Sequence, residues 1–280
     1  MSGLECKNIS KSYKDNKVLD NVSLNIEQGK IYGLIGRNGV GKTTLMSIMT
    51  GQNPADSGEV TYNGQPVWEN AEALSHICFS REINTKSLLG MNNQKVKEYL
   101  RLASIYYKNW DKDMAEELVK RFGIDKKKKV CNLSKGMLSM LTVIIGLASK
   151  AEITILDEPA AGLDPGGRRE ILGRIREFCD SSGTTVIIVS HSMEDMAMYC
   201  DCVTVMSDGH IAFSGTPAQV FSRSEELFSL GLDVPQITRV AAALERRGID
   251  IGRDIYTVKF AFGRICEYID GLNGGSKDEY

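Results

Sequence analysis

The stretch Gly36-Arg37-Asn38-Gly39-Val40-Gly41-Lys42-Thr43 constrains this chain more than any other feature. It matches the pattern G-x-x-x-x-G-K-[ST]. A buried-strand run, Lys30 to Ile35, precedes it, and Thr43 to Met49 follows with helical apolar spacing. A loop in that setting can curl successive backbone N–H groups around an anion, and the helix start adds partial positive charge. A chance match is roughly 1% for a chain of this length before the flanks are required. The segment therefore reads as the phosphate-binding loop of a nucleotide site. Gly36, Arg37, Asn38, Gly39, Val40 and Gly41 form the cradle, and Lys42 reaches the terminal phosphates. Thr43 offers its hydroxyl to Mg²⁺, and Thr44 bonds a phosphate nearer the ribose.

A second motif completes the chemistry. The apolar run Ile153 to Leu156 ends in Asp157-Glu158. An acid at the end of a buried strand can hold Mg²⁺ beside the phosphate loop. The second acid, Glu158, can orient and polarise an attacking water, a role worth ~10²–10⁴ in rate. The ordinary alternative is a strand that merely ends in charges; the phosphate loop argues against it. His191 follows the β-branched run Thr185 to Val189, where a neutral imidazole can meet the γ-phosphate and the water. His76 and His210 lack such a context and read as surface residues. Tyr13 is placed to stack on adenine, worth ~1–3 kcal/mol by analogy with base stacking; the alternative is a core tyrosine.

The remaining pattern sets the organisation. Leu4 to Ile9 and Val22 to Ile26 alternate like half-exposed strands around a polar turn, Asp15 to Lys17. Val96 to Tyr107, Asp111 to Phe122 and Ser134 to Lys150 read as helices, with Asp111 as a cap, so roughly 85–150 is a helical insert. Arg168 to Cys179 is a helix. Val203 to Met206 and Ile211 to Phe213 form a closing hairpin around Asp208-Gly209. Strands alternating with helices imply an α/β fold with a mostly parallel sheet and N-terminal antiparallel strands. The expected division is a domain over 1–222 and an extension over 223–280, with a helix from Ile237 to Arg247.

Composition removes several alternatives. The 280 residues carry 34 basic and 36 acidic side chains, a net charge of -2, so no polyanion-binding surface is expected and nucleic acid is not a partner. The basic run Lys126 to Lys129 reads as a solvated turn. The longest apolar stretch, Gly136 to Ala148, is broken by Ser139 and Thr142 and falls short of the ~20 residues a bilayer needs. The start M-S-G-L-E-C lacks a signal peptide's pattern, which makes the expected location cytoplasmic. Seven scattered cysteines without a C-x-x-C pair fit a reducing compartment, and Cys200-Asp201-Cys202 has no second ligand pair to make a metal site.

With these motifs in order, the chain over about residues 3–222 resembles the ATP-binding subunit of an ABC transporter. Leu133-Ser134-Lys135-Gly136-Met137 stands where that family has its L-S-G-G-Q signature, and Ala161-Gly162-Leu163-Asp164 resembles its dimer-crossing segment. The resemblance implies a P-loop NTPase cassette that hydrolyses ATP with Mg²⁺. It also implies a second cassette, as homodimer or heterodimer, and integral membrane subunits on whose inner face the protein is peripheral. Ser134, Gly136 and Asp164 would then serve the nucleotide held by the facing cassette. The signature departs from the family at Lys135 and Met137. The Ile77 to Glu82 region lacks the family's Mg²⁺-sensing glutamine; Glu82 is its best substitute by length and, as a carboxylate, the candidate Mg²⁺ ligand the resemblance implies there.

The resemblance is also mixed. Up to about residue 160 the chain looks like ABC-2-type exporter ATPases of Gram-positive bacteria. From about Asp164, segments such as D-P-G-G-R-R-E-I-L, and S-L-G-L-D-V-P-Q-I-T-R-V in the extension, look like energy-coupling-factor importer ATPases. The helical insert normally meets the membrane subunit, so the exporter-like half is weighted for partner choice. Two other functions stand beside the transport ATPase: a soluble ABC protein acting on ribosomes or DNA, and a binding-only regulatory cassette.

Overall fold

A computed structural model describes residues 3–81, 83, 93–252 and 254–274. In chain order the elements are β1 (Gly3–Tyr13), β2 (Asn16–Glu27), β3 (Ile31–Ile35), α1 (Lys42–Met49), β4 (Ser57–Tyr62), β5 (Gln65–Pro66), α2 (Ala71–Ser75), β6 (Ile77–Ser80), α3 (Val96–Tyr106), α4 (Lys112–Arg121) and α5 (Lys135–Ala148). They continue with β7 (Ile153–Asp157), α6 (Pro165–Ser182), β8 (Thr185–Val189), α7 (Met193–Tyr199), β9 (Cys202–Ser207), β10 (His210–Gly215), α8 (Pro217–Phe221), α9 (Ser224–Ser229), α10 (Gln236–Glu245) and α11 (Val258–Gly274).

Six strands form one sheet in the order β10-β9-β3-β8-β7-β6. All its pairs are parallel except β9 with β10. Parallel strands covered on both faces need apolar side chains at every position, and β3, β7 and β8 are buried along almost their whole lengths. The register brings Leu34 of β3 and Asp157 of β7 level with Val189 of β8. Three loops therefore leave the sheet side by side: the phosphate loop, Glu158 and its turn, and Ser190-His191.

A second sheet, β2-β1-β4-β5, is antiparallel. Its first two strands run longer than the apolar alternation indicates. Asp56 accepts from Lys11 Nζ at 2.8 Å and from Ser12 N at 2.7 Å, which fastens the polar end of β1. Ile77 to Ser80, within the region that lacks the family's glutamine, forms the edge strand β6, paired with β7. Ser80 Oγ donates to the Thr142 carbonyl at 2.6 Å, tying this strand to α5. Glu82, the candidate Mg²⁺ ligand, lies outside the described residues.

Asp111 caps α4 by accepting from Met114 N at 2.9 Å, as its position before the helix indicates. The helix α5 is apolar because it is buried all round, and its residues share one core with α4 and the parallel sheet. Leu227 and Val234, beyond residue 222, are buried in that same core. Ala241, Ile251, Ile255 and Ala261 form a separate small core. The last helix, α11, was not anticipated; its buried face is short, and much of its apolar surface, such as Phe262 and Ile269, is exposed. Among the described residues no helix is long and apolar enough to cross a membrane.

Leu141 on α5 is fully buried. Leu141→Ala should lower stability by about 2–5 kcal/mol in urea unfolding, because the surrounding helices and sheet cannot close on the void.

Candidate nucleotide-hydrolysis site

The phosphate loop is fixed by its glycines and one lysine. Gly41 adopts φ 101°, and a Cβ there would stand 2.7 Å from both the Val18 carbonyl and Leu19 Cδ2. Only glycine meets both conditions. Gly41 is also the N-cap of α1, and no side chain caps that end. The first N–H groups of α1 are thus left to an anion. Lys42 is buried, and its Nζ donates to Gly36 O at 2.6 Å and Arg37 O at 2.9 Å. Burial lowers its pKa, while Glu158 and Asp157 nearby oppose the shift.

Lys42, Thr43, Thr44, Asp157, Glu158 and His191 line one cleft of about 210 Å³, together with Asn38, Gly39 and Gly41. Glu158 has a left-handed backbone, φ 48°, and its N–H donates to Val189 O at 2.9 Å. That turn brings the carboxylate back over the end of β8. Burial, then the charge of Asp157, raises the Glu158 pKa; Lys42, the Ser190 hydroxyl and the His191 N–H act against it. His191 Nε2 stands 3.4 Å from Glu158 Oε1, too long for a good hydrogen bond. Among the described residues Oε1 is buried and accepts no hydrogen bond. Burial and the Lys42 charge lower the His191 pKa, with Asp157 opposing, which favours the neutral imidazole. A neutral imidazole can accept a proton at one nitrogen and donate at the other.

Tyr13 is 47% exposed at the end of β1, with Lys11 Nζ 5.7 Å from its ring centre. It does not line the phosphate cleft. Val18 of β2 does, a residue that sequence reading passes over because an alternating strand gives an apolar side chain no chemical signal.

Ser134 and Gly136 stand at a different place in the fold, the start of α5. Ser134 caps the helix by accepting from Met137 N at 3.2 Å. Gly136 is buried because a Cβ would sit 2.7 Å from the Gly162 carbonyl. Gly162 in turn has φ +73°, and the Lys135 side-chain stem lies against it. Ser139 Oγ donates to Ala161 O at 2.8 Å, and Ala161 N donates to Glu158 O at 3.0 Å. The signature turn and the turn after Glu158 are therefore one packed unit. Asp164 caps α6 by accepting from Gly167 N at 3.0 Å. Within one chain these residues serve helix starts and are not among the residues lining that chain's cleft.

Residues 19–161 match the family model described as ABC transporter. The chain belongs to this family of ATP-binding cassettes. It is 32% identical to an energy-coupling factor transporter ATP-binding protein of Caldanaerobacter subterraneus, over 96% of this chain and 98% of the relative. A protein of the same description from Clostridioides difficile is also 32% identical, over 95% and 97%. Among solved structures, cbiO1 of Clostridium perfringens, part of an ABC transporter complex, is similar at TM-score 0.67 and 26% identity. That match covers 87% of this chain and 99% of the other. A nucleotide-free cassette from an ABC transporter matches at TM-score 0.65 and 26% identity, over 77% and 92%. This cassette is thus the ATP-binding and ATP-hydrolysing subunit of an ABC transporter.

Lys135, one of the two departures from the signature, lays its stem on Gly162, a contact that needs glycine there. The raised Glu158 pKa has a measurable consequence. The folded protein binds that proton more tightly than the unfolded chain, so the stabilisation is present at low pH and lost as pH rises through the folded value. Without nucleotide, Glu158→Gln should melt above the parent at pH 8, and the gap should close toward pH 4.

Proposed function

We propose that this cassette energises a transporter of the energy-coupling factor kind, through hydrolysis at composite sites shared with a second cassette. One observation carries the catalytic part: Lys42, Asp157, Glu158 and His191 converge on a single cleft at the carboxyl ends of β3, β7 and β8. For partner choice, the match to energy-coupling relatives runs through both halves of the chain. That outweighs the exporter-like segments before residue 160, so the partner is taken from the energy-coupling side.

The reaction is phosphoryl transfer to water, in which positioning and charge stabilisation do most of the work. The loop N–H groups from Gly36 to Gly41 and the start of α1 hold the phosphates, and Lys42 meets the terminal ones. Thr44 contacts a phosphate nearer the ribose, and Tyr13 offers a face to the adenine. Glu158 Oε1, a buried acceptor without a donor, suits a group that orients and polarises water. His191, neutral, places that water against the γ-phosphate. Ser134 and the Gly136 N–H of one cassette act on the nucleotide of the other, with Asp164 at the crossing. Thr43 and Asp157 fit Mg²⁺: they are hard oxygen donors in one cleft, and among the described residues no larger group of metal-binding side chains exists, as suits an ion completed by phosphates and water. That ion would neutralise phosphate charge. The cassette sits on the inner face of the membrane through its partner, with residues 1–222 as the ATPase domain.

Glu158→Gln should cut phosphate release by about 10²–10⁴ while keeping ATP affinity. It should also form a dimer on size exclusion only when ATP and Mg²⁺ are present. A monomer under those conditions, beside a silent parent, would overturn self-pairing and point to a different second cassette. Lys42→Ala should lose ATP binding itself.

A further inference from the structure

The extension beyond residue 222 reaches the phosphate loop. Gly231 closes α9: its N–H donates to Phe228 O at 2.9 Å, and Leu232 N donates to Leu227 O at 2.9 Å. Its φ is +69°, the left-handed turn that ends many helices. A Cβ at Gly231 would lie 3.0 Å from Arg37 Cδ, 3.2 Å from Nη1 and 3.3 Å from Nε. The Arg37 side chain therefore rests on the bare backbone of Gly231. The seat is firmly held, because Leu227 and Val234 on either side are buried in the main core and Leu230 and Leu232 pack against it.

Two further contacts show where this seat acts. The Arg37 carbonyl is one of the two acceptors of Lys42 Nζ. A few residues on, Gln236 N donates to Glu194 Oε1 at 3.2 Å, and Glu194 lies in the first turn of α7, which follows His191. The stretch 227–236 thus touches the phosphate loop at Arg37 and, at Glu194, the helix that follows His191.

We propose that this stretch is a positioning element of the nucleotide site. Gly231 seats the Arg37 side chain and so holds the loop in the form whose Arg37 carbonyl orients Lys42. The inference rests on the reading of the cleft as the ATP site. A side chain at Gly231 lifts Arg37 and weakens nucleotide binding through the loop, not through loss of the fold. This gives the extension a role in binding ATP within its own chain.

The test is a double-mutant cycle on the full chain, with ATP affinity read by titration calorimetry. Asparagine tolerates the left-handed region, so Gly231→Asn keeps the turn while adding a side chain. Gly231→Asn should weaken ATP roughly 3- to 10-fold in the parent, a coupling of the size contacting residues show. In an Arg37→Ala background it should have no further effect. Equal weakening in both backgrounds, or none in either, overturns the inference. Gly231→Ala, run in parallel, must follow the same pattern; a loss that persists without Arg37 also counts against it. Lys42→Ala is the control for the site itself. ATP binding that survives it overturns the phosphate-loop reading and this inference together. Loss in Lys42→Ala, beside equal effects of Gly231→Asn in both backgrounds, overturns this inference alone.

Discussion

Parallel pairing of β3 with β8 and of β8 with β7 is the constraint on which the rest of the molecule depends. Strands that run the same way end at the same edge, so three loops from distant parts of the sequence open side by side. The register then sets which residues meet: Leu34 and Asp157 are level with Val189. A slip of one residue would reverse every side chain and carry Asp157 to the other face. Apolar burial on both faces of these strands prevents that slip, and it is the same burial that makes the site electrostatically sharp. Lys42 is buried and Glu158 half-buried, so their charges act on each other with less screening than on an open surface.

The second constraint is the contact between α5 and the turn after β7. Gly136 and Gly162 meet so closely that neither can carry a side chain. Ser139 fastens the same turn at Ala161, and Ala161 closes on Glu158. The signature turn is thereby joined, through backbone and one hydroxyl, to Glu158. Rigid contact of this kind can carry a two-state change, because close-packed elements shift between arrangements and do not deform gradually. The extension adds a third tie, where the Arg37 side chain rests on Gly231.

Much of this was legible in the chain itself. The phosphate loop, Asp157-Glu158 and His191 are read from residue types that chemistry requires at given offsets from buried strands. Asp111 and Ser134 are read as helix starts because their side chains accept backbone N–H bonds there. Other features carry no local mark. Val18 is one apolar residue in an alternating strand, and only the fold makes it a wall of the cleft. Ile77 to Ser80 is a four-residue run too short to stand out, and its place as the edge strand is set by pairing with β7. The helix α11 leaves much of its apolar surface exposed, so periodicity gives it little signal.

The sequence by itself determined the chemistry: which atoms can hold phosphate, which carboxylates can serve metal and water, and the order in which they come. These follow from local rules, the freedom of glycine, the charge of a lysine and the period of a buried strand. Only the tertiary structure decided proximity. It placed Glu158 Oε1 in a buried position 3.4 Å from His191, laid Lys135 on Gly162, and set Gly231 beneath Arg37. Those contacts join residues far apart in the chain through packing that no short window of sequence contains.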